Sequence, residues 1–425
     1  MRLGVIADDF TGATDIAGFL VENGLSTVQL IGIPDADVAV DAEAAVISLK
    51  SRSNPAEEAV AQSVAALRWL RSKGCRQFIF KYCSTFDSTA KGNIGPVTDA
   101  LLKELDEDFT IICPSLPVNG RTVYHGYLFV GNVLLNESGM RNHPITPMRD
   151  ANLVRLMEGQ SQGKAGNIPA SVLDAGDDAV ISALHALKAA GIRYAVLDTL
   201  NDTHLDVIGR AVQNMTLLTG GSGLGAGLAR AVSQHGSKRD ANVSSAGAPP
   251  GGRSVVLSGS CSVMTNAQVA AYSAEAPAFP LDVKACLSDP DYAEKVCRWI
   301  IDTATGNRAP IVYATTDPER LREIQETYGA EAASSAVERF FGKLVPLLAK
   351  AGFDHFIVAG GETSGVIVQS LGVTGFHIGP QIAPGVPWVR AINAPLSLAL
   401  KSGNFGNERF FFEAQQLVAK DKSHD

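Results

Sequence analysis

Along the first half of the chain, short apolar runs alternate with longer stretches in which apolar residues recur every third or fourth position. The runs "LGVIA", "STVQLIGI", "AAVISL", "QFIFKY", "FTIIC", "RYAVLD" and "MTLLTG" read as strands, and the stretches between them as helices. In "NPAEEAVAQSVAALRWLRSKG", Asn54 is placed to cap a helix, Pro55 suits its first position and Glu57 completes a capping box. Val60, Val64, Leu67 and Leu70 then share one face, and Gly74 ends the helix. Alternation of this kind predicts an α/β fold built on a mostly parallel sheet with helices on both faces.

The pattern lapses in "SQHGSKRDANVSSAGAPPGGR", which has no apolar period and reads as a linker over residues 234–252. It resumes with "SVVLSGS", "PIVYAT", "HFIVAGGE", "WVRAI" and "LSLALKSGNFG". The expectation is therefore two domains, residues 1–233 and 253–425, each a mostly parallel sheet flanked by helices, with the active site in the interdomain cleft. A chain of 425 residues is long enough for two cores. The acidic "KELDED" reads as a solvated helix end, and the polar tail "AKDKSHD" is expected to fray.

Composition narrows the function classes. The formal net charge of -8 argues against nucleic acid or an anionic membrane as partner, though a local basic pocket can still take an anionic ligand. No apolar run approaches a membrane span, and no charged-then-apolar leader precedes the first strand. Six cysteines without a C-x-x-C pair suggest reduced thiols in a cytoplasmic protein. G-x-S-x-G and H-E-x-x-H are absent, and the eight histidines lack metal-ligand spacing.

In open α/β sheets, ligands bind beyond the carboxyl ends of the strands, so the residues just after each run carry the chemistry. Asp8 and Asp9 follow the first run. Adjacent carboxylates repel, and one of them can take a proton from a hydroxyl while the other orients substrate or magnesium. Capping of the next helix explains one aspartate but not two. Arg52, after the third run, suits bidentate binding of a carboxylate, although a surface arginine is the plain alternative. The loop "FKYCSTFDSTAKGNIGP" crowds Lys81, Asp87 and Ser88 with other hydrogen-bonding groups, as a polyhydroxylated ligand would require, while some of these residues simply make turns. Asn119 and Arg121 lie in a proline-stiffened loop after "FTIIC", and His125 there is either an acid–base group or merely hydrogen-bonded.

"GGSGLGAG" matches G-x-G-x-x-A through Gly221, Gly223 and Ala226, but the acidic residue expected about 20 positions on is missing, so a nicotinamide-dependent oxidoreductase is a weaker reading. In the second half, three strands end in glycine-rich turns: Ser258 in "LSGSCS", Gly360, Gly361, Glu362 and Thr363 in "AGGETSG", and Gly403 in "LKSGNFG". Glycines let backbone amides approach phosphates, and three such turns at one sheet edge favour a nucleotide site. Walker A and protein-kinase motifs are absent.

The blocks "IADDFTGATDIAGFL", "FKYCSTFDSTAKGNIGPV", "PVNGRTVYHGYLFV", "VLSGSCSVMTN", "AGGETSGV" and "LALKSGNFG" resemble the four-carbon acid sugar kinase family, closest within it to the 3-oxo-tetronate kinases. The resemblance spans nearly the whole chain. It implies a substrate domain followed by a nucleotide domain, and ATP-dependent phosphorylation of the terminal hydroxyl of 3-dehydro-tetronate to the 4-phosphate. It puts ATP contacts on Ser258, on Gly360, Gly361, Glu362 and Thr363, and on Gly403. Asp9 or Asp8 is then the base on the physical grounds above. Arg52, Lys81, Asp87, Ser88, Asn119 and Arg121 are candidate substrate ligands, and ATP and Mg2+ the cofactors. D-threonate or D-erythronate 4-kinase activity, the oxidoreductase, and a non-catalytic sugar-acid sensor remain as alternatives. A homodimer is the commonest assembly for a soluble enzyme of this size.

Overall fold

The computed structural model describes residues 2–36, 38–142, 146–234 and 243–420. They form two compact units, one ending at Val243 and the other beginning at Ser244.

The first unit is built on β1 (Leu3–Ala7), β2 (Thr27–Ile31), β3 (Ala44–Ser48), β4 (Gln77–Lys81), β5 (Thr110–Cys113), β9 (Lys164–Ile168), β10 (Ile192–Leu197) and β11 (Leu217–Gly220). Their order is β2-β3-β1-β4-β11-β5-β10-β9, and every pairing is parallel. All residues of β1, β3 and β5 are buried, which is why these segments are continuous apolar runs rather than alternating ones. The core beneath the helices joins Ile6, Ile47, Leu67, Leu70, Phe78, Phe80 and Leu101.

Helix Ala56–Ser72 forms as the periodicity predicts, but its start differs. Pro55 holds the cap position without a side-chain hydrogen bond, so no capping box is made. Ala59, Ser63, Ala66, Leu67, Trp69 and Leu70 face the core, with Val60 and Val64 half-buried at its rim. Two strands of small alternation escape the reading altogether, as does β9. These are β6 (Arg121–Tyr124) and β7 (Tyr127–Val130), which with the two-residue β8 (Val133–Leu134) make a separate antiparallel ribbon. Its hairpin turns on His125 and Gly126, both at positive φ (49° and 73°). That combination is the type I′ turn, and a histidine is an unusual occupant. The buried Asp198 holds it, accepting from the amides of His125 at 2.7 Å and Gly126 at 2.9 Å, and also from Asn167 Nδ2 and the Ala170 amide. Turn geometry is thus the observed work of His125.

The second unit contains β12 (Ser254–Ser258), β13 (Ala278–Pro280), β14 (Ile311–Tyr313), β15 (His355–Ala359), β16 (Gly375–Ala383), β17 (Val386–Ala391) and β18 (Ser397–Lys401). The order is β13-β14-β12-β15-β18-β17-β16. Strands β13 to β18 by way of β14, β12 and β15 pair in parallel, and β18, β17 and β16 antiparallel. The core gathers Val256, Tyr272, Ile357, Trp388, Ala399 and Phe410 to Phe412. Strand β16 is broken by Gly379 and Pro380 and shifts register, so its pattern does not read as a strand in sequence.

Residues 235–242 of the expected linker lie outside the described residues. Its later part belongs to the second unit, where the turn Ser245–Gly247 packs against Gly379 of β16. Of the tail, Ala419 and Lys420 close helix Phe410–Lys420, and 421–425 lie outside the described residues. Among the described residues, no helix is long and apolar enough to cross a membrane.

Candidate active site

The parallel order β3-β1-β4 places the segments after these three strands side by side. Backbone hydrogen bonds knit them together: the Asp8 amide donates to Lys81 O, and the amides of Ser51 and Arg52 donate to Asp8 O. Asn93 adds side-chain donation to the carbonyls of Ser51, Arg52 and Asn54.

The doubled aspartate divides into two environments. Asp8 is buried, and Arg52 grips it with both arms, Nε to Oδ2 at 2.9 Å and Nη2 to Oδ1 at 2.8 Å. Asp9 has a side chain 28% exposed, caps helix Phe10–Glu22 through the Gly12 amide, and takes a 2.6 Å bond from Arg52 Nη2, both on Oδ1. Its Oδ2 accepts from no described residue. The expectation for Arg52 therefore shifts: most of its fork is committed to Asp8 and Asp9, leaving Nη1 as the arm without a carboxylate. Burial pushes the Asp8 carboxyl up, against the pull of the guanidinium. Burial alone would lower Arg52, but the two carboxylates hold it well above its usual value.

Lys81 is buried with its ammonium directly below Gly12, where any Cβ would collide with it. It makes no hydrogen bond to a described side chain or carbonyl. Its charge bears on Asp8 and on Asp15, a buried acid of the same helix that sequence reading passed over. Burial raises Asp15, and its Oδ2 accepts from Ser222 Oγ while Oδ1 has no partner. The sequence signal for Asp15 was a third acid within "DDFTGATD", on the face of the helix that turns inward.

The remaining substrate candidates fall into two groups. Asp87 stays near the surface of its loop, accepting from Thr85 Oγ1 at 2.7 Å. Ser88 is placed differently from the expectation. It is fully buried, donates to Gln160 Oε1 at 2.6 Å and accepts from the Ile94 amide, so it anchors the loop to helix Ile94–Glu104. Asn119 and Arg121 meet each other at the start of β6, where the guanidinium donates to the Asn119 carbonyl and leaves a buried Nε without a partner. The glycines of "GGSGLGAG" serve packing. Gly221 and Gly223 lie against the carbonyls of Pro114 and Ser115, and Gly227 against that of Leu205, so closely that no side chain fits.

In the second unit the three glycine-rich turns come together. Strands β12, β15 and β18 are neighbours in register, with Ser258 beside Ala359 and Ala359 beside Lys401. Gly259 packs against Thr363, Gly360 against Ser260, and Gly403 against Ser260 and Ser262. Helix Gly361–Ser370 starts here, with Gly360 (φ 125°) as a cap that offers no side-chain acceptor. Its first amides are open to an anion, with the helix dipole behind them. A cavity of about 300 Å³ opens in front, lined by Gly259, Ser260 and Gly360 to Thr363 at one end. At the other end Val283, Leu321, Ile324, Ala333 and Val337 give it an apolar wall, which no motif announced. Ser258 is again placed differently from the expectation. Its hydroxyl is fully buried and spent on Thr315 Oγ1 at 2.6 Å, so the residues after it face the cavity instead.

The model of a sugar-binding N-terminal domain matches residues 3–228, and that of a nucleotide-binding C-terminal domain matches residues 255–411. The chain is 62% identical over 421 residues to the 3-oxo-tetronate kinase of Brucella melitensis, covering 99% of this chain and 97% of that one. The chain belongs to the 3-oxo-tetronate kinase family. A second member, from Pectobacterium atrosepticum, is 58% identical over 423 residues, 99% of this chain and 100% of its own. Two crystal structures share the family's fold. One, from Salmonella typhimurium LT2, has a TM-score of 0.93 at 58% identity and covers 98% of this chain and 99% of its own. The other, protein HI1011 of Haemophilus influenzae, has a TM-score of 0.86 at 56% identity, with coverage of 98% and 100%. The Salmonella structure was described as a tRNA synthase, whereas a curated Salmonella relative, likewise 58% identical, is named 3-oxo-tetronate kinase.

Proposed function

We infer that this chain is an ATP-dependent kinase that phosphorylates the terminal hydroxyl of 3-dehydro-tetronate, giving the 4-phosphate and ADP. The observation that carries the reading is the meeting of three glycine-rich turns at the uncapped start of helix Gly361–Ser370, in a chain whose other unit ends its first strand in a paired acid. An oxidoreductase has lost its loop to helix packing, and a sensor has no use for a triphosphate cradle.

Phosphoryl transfer asks the protein for positioning and charge neutralisation more than for covalent chemistry. Asp9 is the better base of the pair, because Asp8 is sealed by Arg52 while Asp9 keeps Oδ2 unbonded and reachable. Oδ2 accepts the proton of the C4 hydroxyl, and the oxygen attacks the γ-phosphorus. The bond from that phosphorus to the β–γ bridging oxygen breaks, and ADP departs. Arg52 bridges Asp8 and Asp9 and offsets their mutual repulsion. With that fork engaged, Lys81 and Arg121 are the cations left for the sugar-acid carboxylate, helped by the free arm of Arg52. Asp87 and Asn119 suit its hydroxyls. The amides of Gly361, Glu362 and Thr363 and the turn at Gly403 take the phosphates, and the apolar wall takes the base.

Among the described residues no three His, Cys, Asp or Glu side chains cluster as a metal site. A Mg2+ ion arriving with the nucleotide would need only one or two protein carboxylates. Glu362 is the carboxylate lining the phosphate end of the cavity and would complete its shell. The ion supplies charge neutralisation at the β- and γ-phosphates.

Coupled ADP release over a panel of four-carbon acids tests the function. Turnover is expected to be highest with 3-dehydro-tetronate. Faster turnover of D-threonate or D-erythronate would move the chain to those kinases, and ADP release indifferent to every acid would overturn the reading.

A further inference from the structure

The carboxyl end of β18 carries a cation that the site described above does not use. Lys401 is fully buried. Its Nζ donates to the carbonyl of Gly403 at 2.8 Å, to that of Ser402 at 3.1 Å and to Thr265 Oγ1 at 3.0 Å. Thr265, on helix Val263–Ser273, donates in turn to the same Gly403 carbonyl at 2.7 Å. Among the described residues no acidic side chain pairs with this ammonium. The flanking helix Phe410–Lys420 offers it the ring of Phe410 at 6.0 Å, and the carboxylate of Glu413 is taken by Asn407. Glu408, in the segment between, is exposed.

An unpaired buried ammonium is costly, so its place in the fold needs a reason. The reason lies in the peptide planes. In a trans peptide the C=O and N–H point in opposite directions. Drawing the Ser402 and Gly403 carbonyls inward to Lys401 therefore turns the amides of Gly403 and Asn404 outward. Neither amide donates to a described residue. Two successive free amides make an anion-binding concavity. Gly403 packs on Ser260 and Ser262, in the turn that lines the phosphate end of the cavity.

We propose that Lys401 is the positioning residue of the phosphate site: it holds the Ser402–Asn404 turn with its amides outward, and it takes up a proton from solvent when a nucleotide's phosphates bind to them. The proposal rests on the nucleotide reading above. The balance is simple. The neutral amine has two N–H for its three acceptors; the proton taken from the buffer supplies the third, no bond to phosphorus forms, and the new ammonium supplies the countercharge one peptide plane behind the anion. Burial already pushes Lys401 down to about 7 in the free protein, with no charged neighbour contributing. An arriving anion raises that value. Below the free value the lysine is already charged and no proton is taken up; between it and the raised value, uptake grows toward one proton per nucleotide.

The test is calorimetry of ADP binding to the full chain, in buffers of differing ionisation enthalpy, from about pH 6 to about pH 8.5, a range that brackets the expected linkage. Without a sugar acid no turnover interferes. The wild type is expected to bind with little uptake at the low end, rising toward one proton at the high end. Lys401→Met is expected to lose that uptake and to bind ADP roughly 10- to 100-fold more weakly, as for a lost charge-assisted set of hydrogen bonds. ADP binding by the wild type with no uptake at high pH, or full uptake by Lys401→Met, would overturn the proposal. Should Lys401→Met not fold, the wild-type profile alone decides. If ADP does not bind the wild type at all, the nucleotide reading itself falls, and this proposal with it.

Discussion

Replacing Arg52 by methionine separates the role observed for this residue from the role its sequence position suggested. The side chain is 24% exposed and serves two acids, one of them 3% exposed. Methionine keeps most of the aliphatic stem but leaves Asp8 ionised in a dry site. Breaking a buried pair in this way costs about 3–5 kcal/mol. Asp8 can escape part of that by protonating. Protonating a carboxyl of ordinary value, about 3.9, costs about 4 kcal/mol at pH 7, and because burial already holds Asp8 above its ordinary value in the wild type, the loss on substitution stays below that ceiling. The sign follows from the proton count. In the variant the folded state keeps Asp8 protonated, whereas in the wild type it ionises as pH rises through its raised folded value, so the loss begins only above that value. It grows by about 1.4 kcal/mol per unit as pH rises. For a unit of this size that is a fall in melting temperature of at most about 8–16 °C at pH 7, shrinking toward nothing as pH falls to the raised value of Asp8. Scanning fluorimetry or calorimetry at several pH values measures it. The double variant Arg52→Met with Asp8→Asn should regain most of the stability, since the stranded charge is gone. A loss independent of pH, or melting unchanged within about 2 °C at pH 7, would show that the ion pair is not holding this loop. Arg52 would then be free to be a substrate ligand first.

Asp9→Ala is expected to lower turnover by roughly 10²–10⁴-fold while ADP still binds, as for loss of a general base. Turnover near the wild-type level would remove Asp9 from that role and leave the doubled acid a matter of capping and charge pairing. Val337→Trp fills the apolar end of the cavity and should raise KM for ATP by roughly tenfold or more, about 1–3 kcal/mol of overpacking, with KM for the sugar acid unchanged. An unchanged KM for ATP would mean that the base lies elsewhere.

Most of the sheet architecture was legible because a strand buried on both faces must be apolar throughout. "LGVIA", "AAVIS" and "HFIVA" had no other economical reading, and the glycine-rich turns after β12, β15 and β18 marked one sheet edge of the second unit. What escaped were elements whose stability comes from elsewhere in the fold. The ribbon of β6 and β7 depends on a hairpin turn that puts a histidine at positive φ, and the group that holds it, Asp198, lies 73 residues away from His125 in sequence. No local pattern encodes such a turn. Strand β16 is likewise made by its antiparallel partner β17 rather than by its own interrupted composition.

The site shows the same division at the level of side chains. Residue type and position announced that Asp8, Asp9, Arg52 and Lys81 would gather, because parallel strands must bring their ends to one edge. Partnering could not be announced. Whether Arg52 reaches outward or folds back depends on the 2.6–2.9 Å contacts it finds with the two acids. Whether Ser88 and Ser258 face a ligand depends on Gln160 and Thr315, each far along the chain. Lys401 makes the point most sharply. A lysine ending an apolar strand reads as a solvated terminus, since a charge is rarely buried without a partner. Only the carbonyls of the turn that follows, and a threonine 136 residues earlier, reveal that it is held inside. A cation kept in that position by two carbonyls and a hydroxyl, with no carboxylate, is poised to respond to negative charge brought near it. In a nucleotide-binding unit, that ties the least expected side chain to the proposed phosphate site.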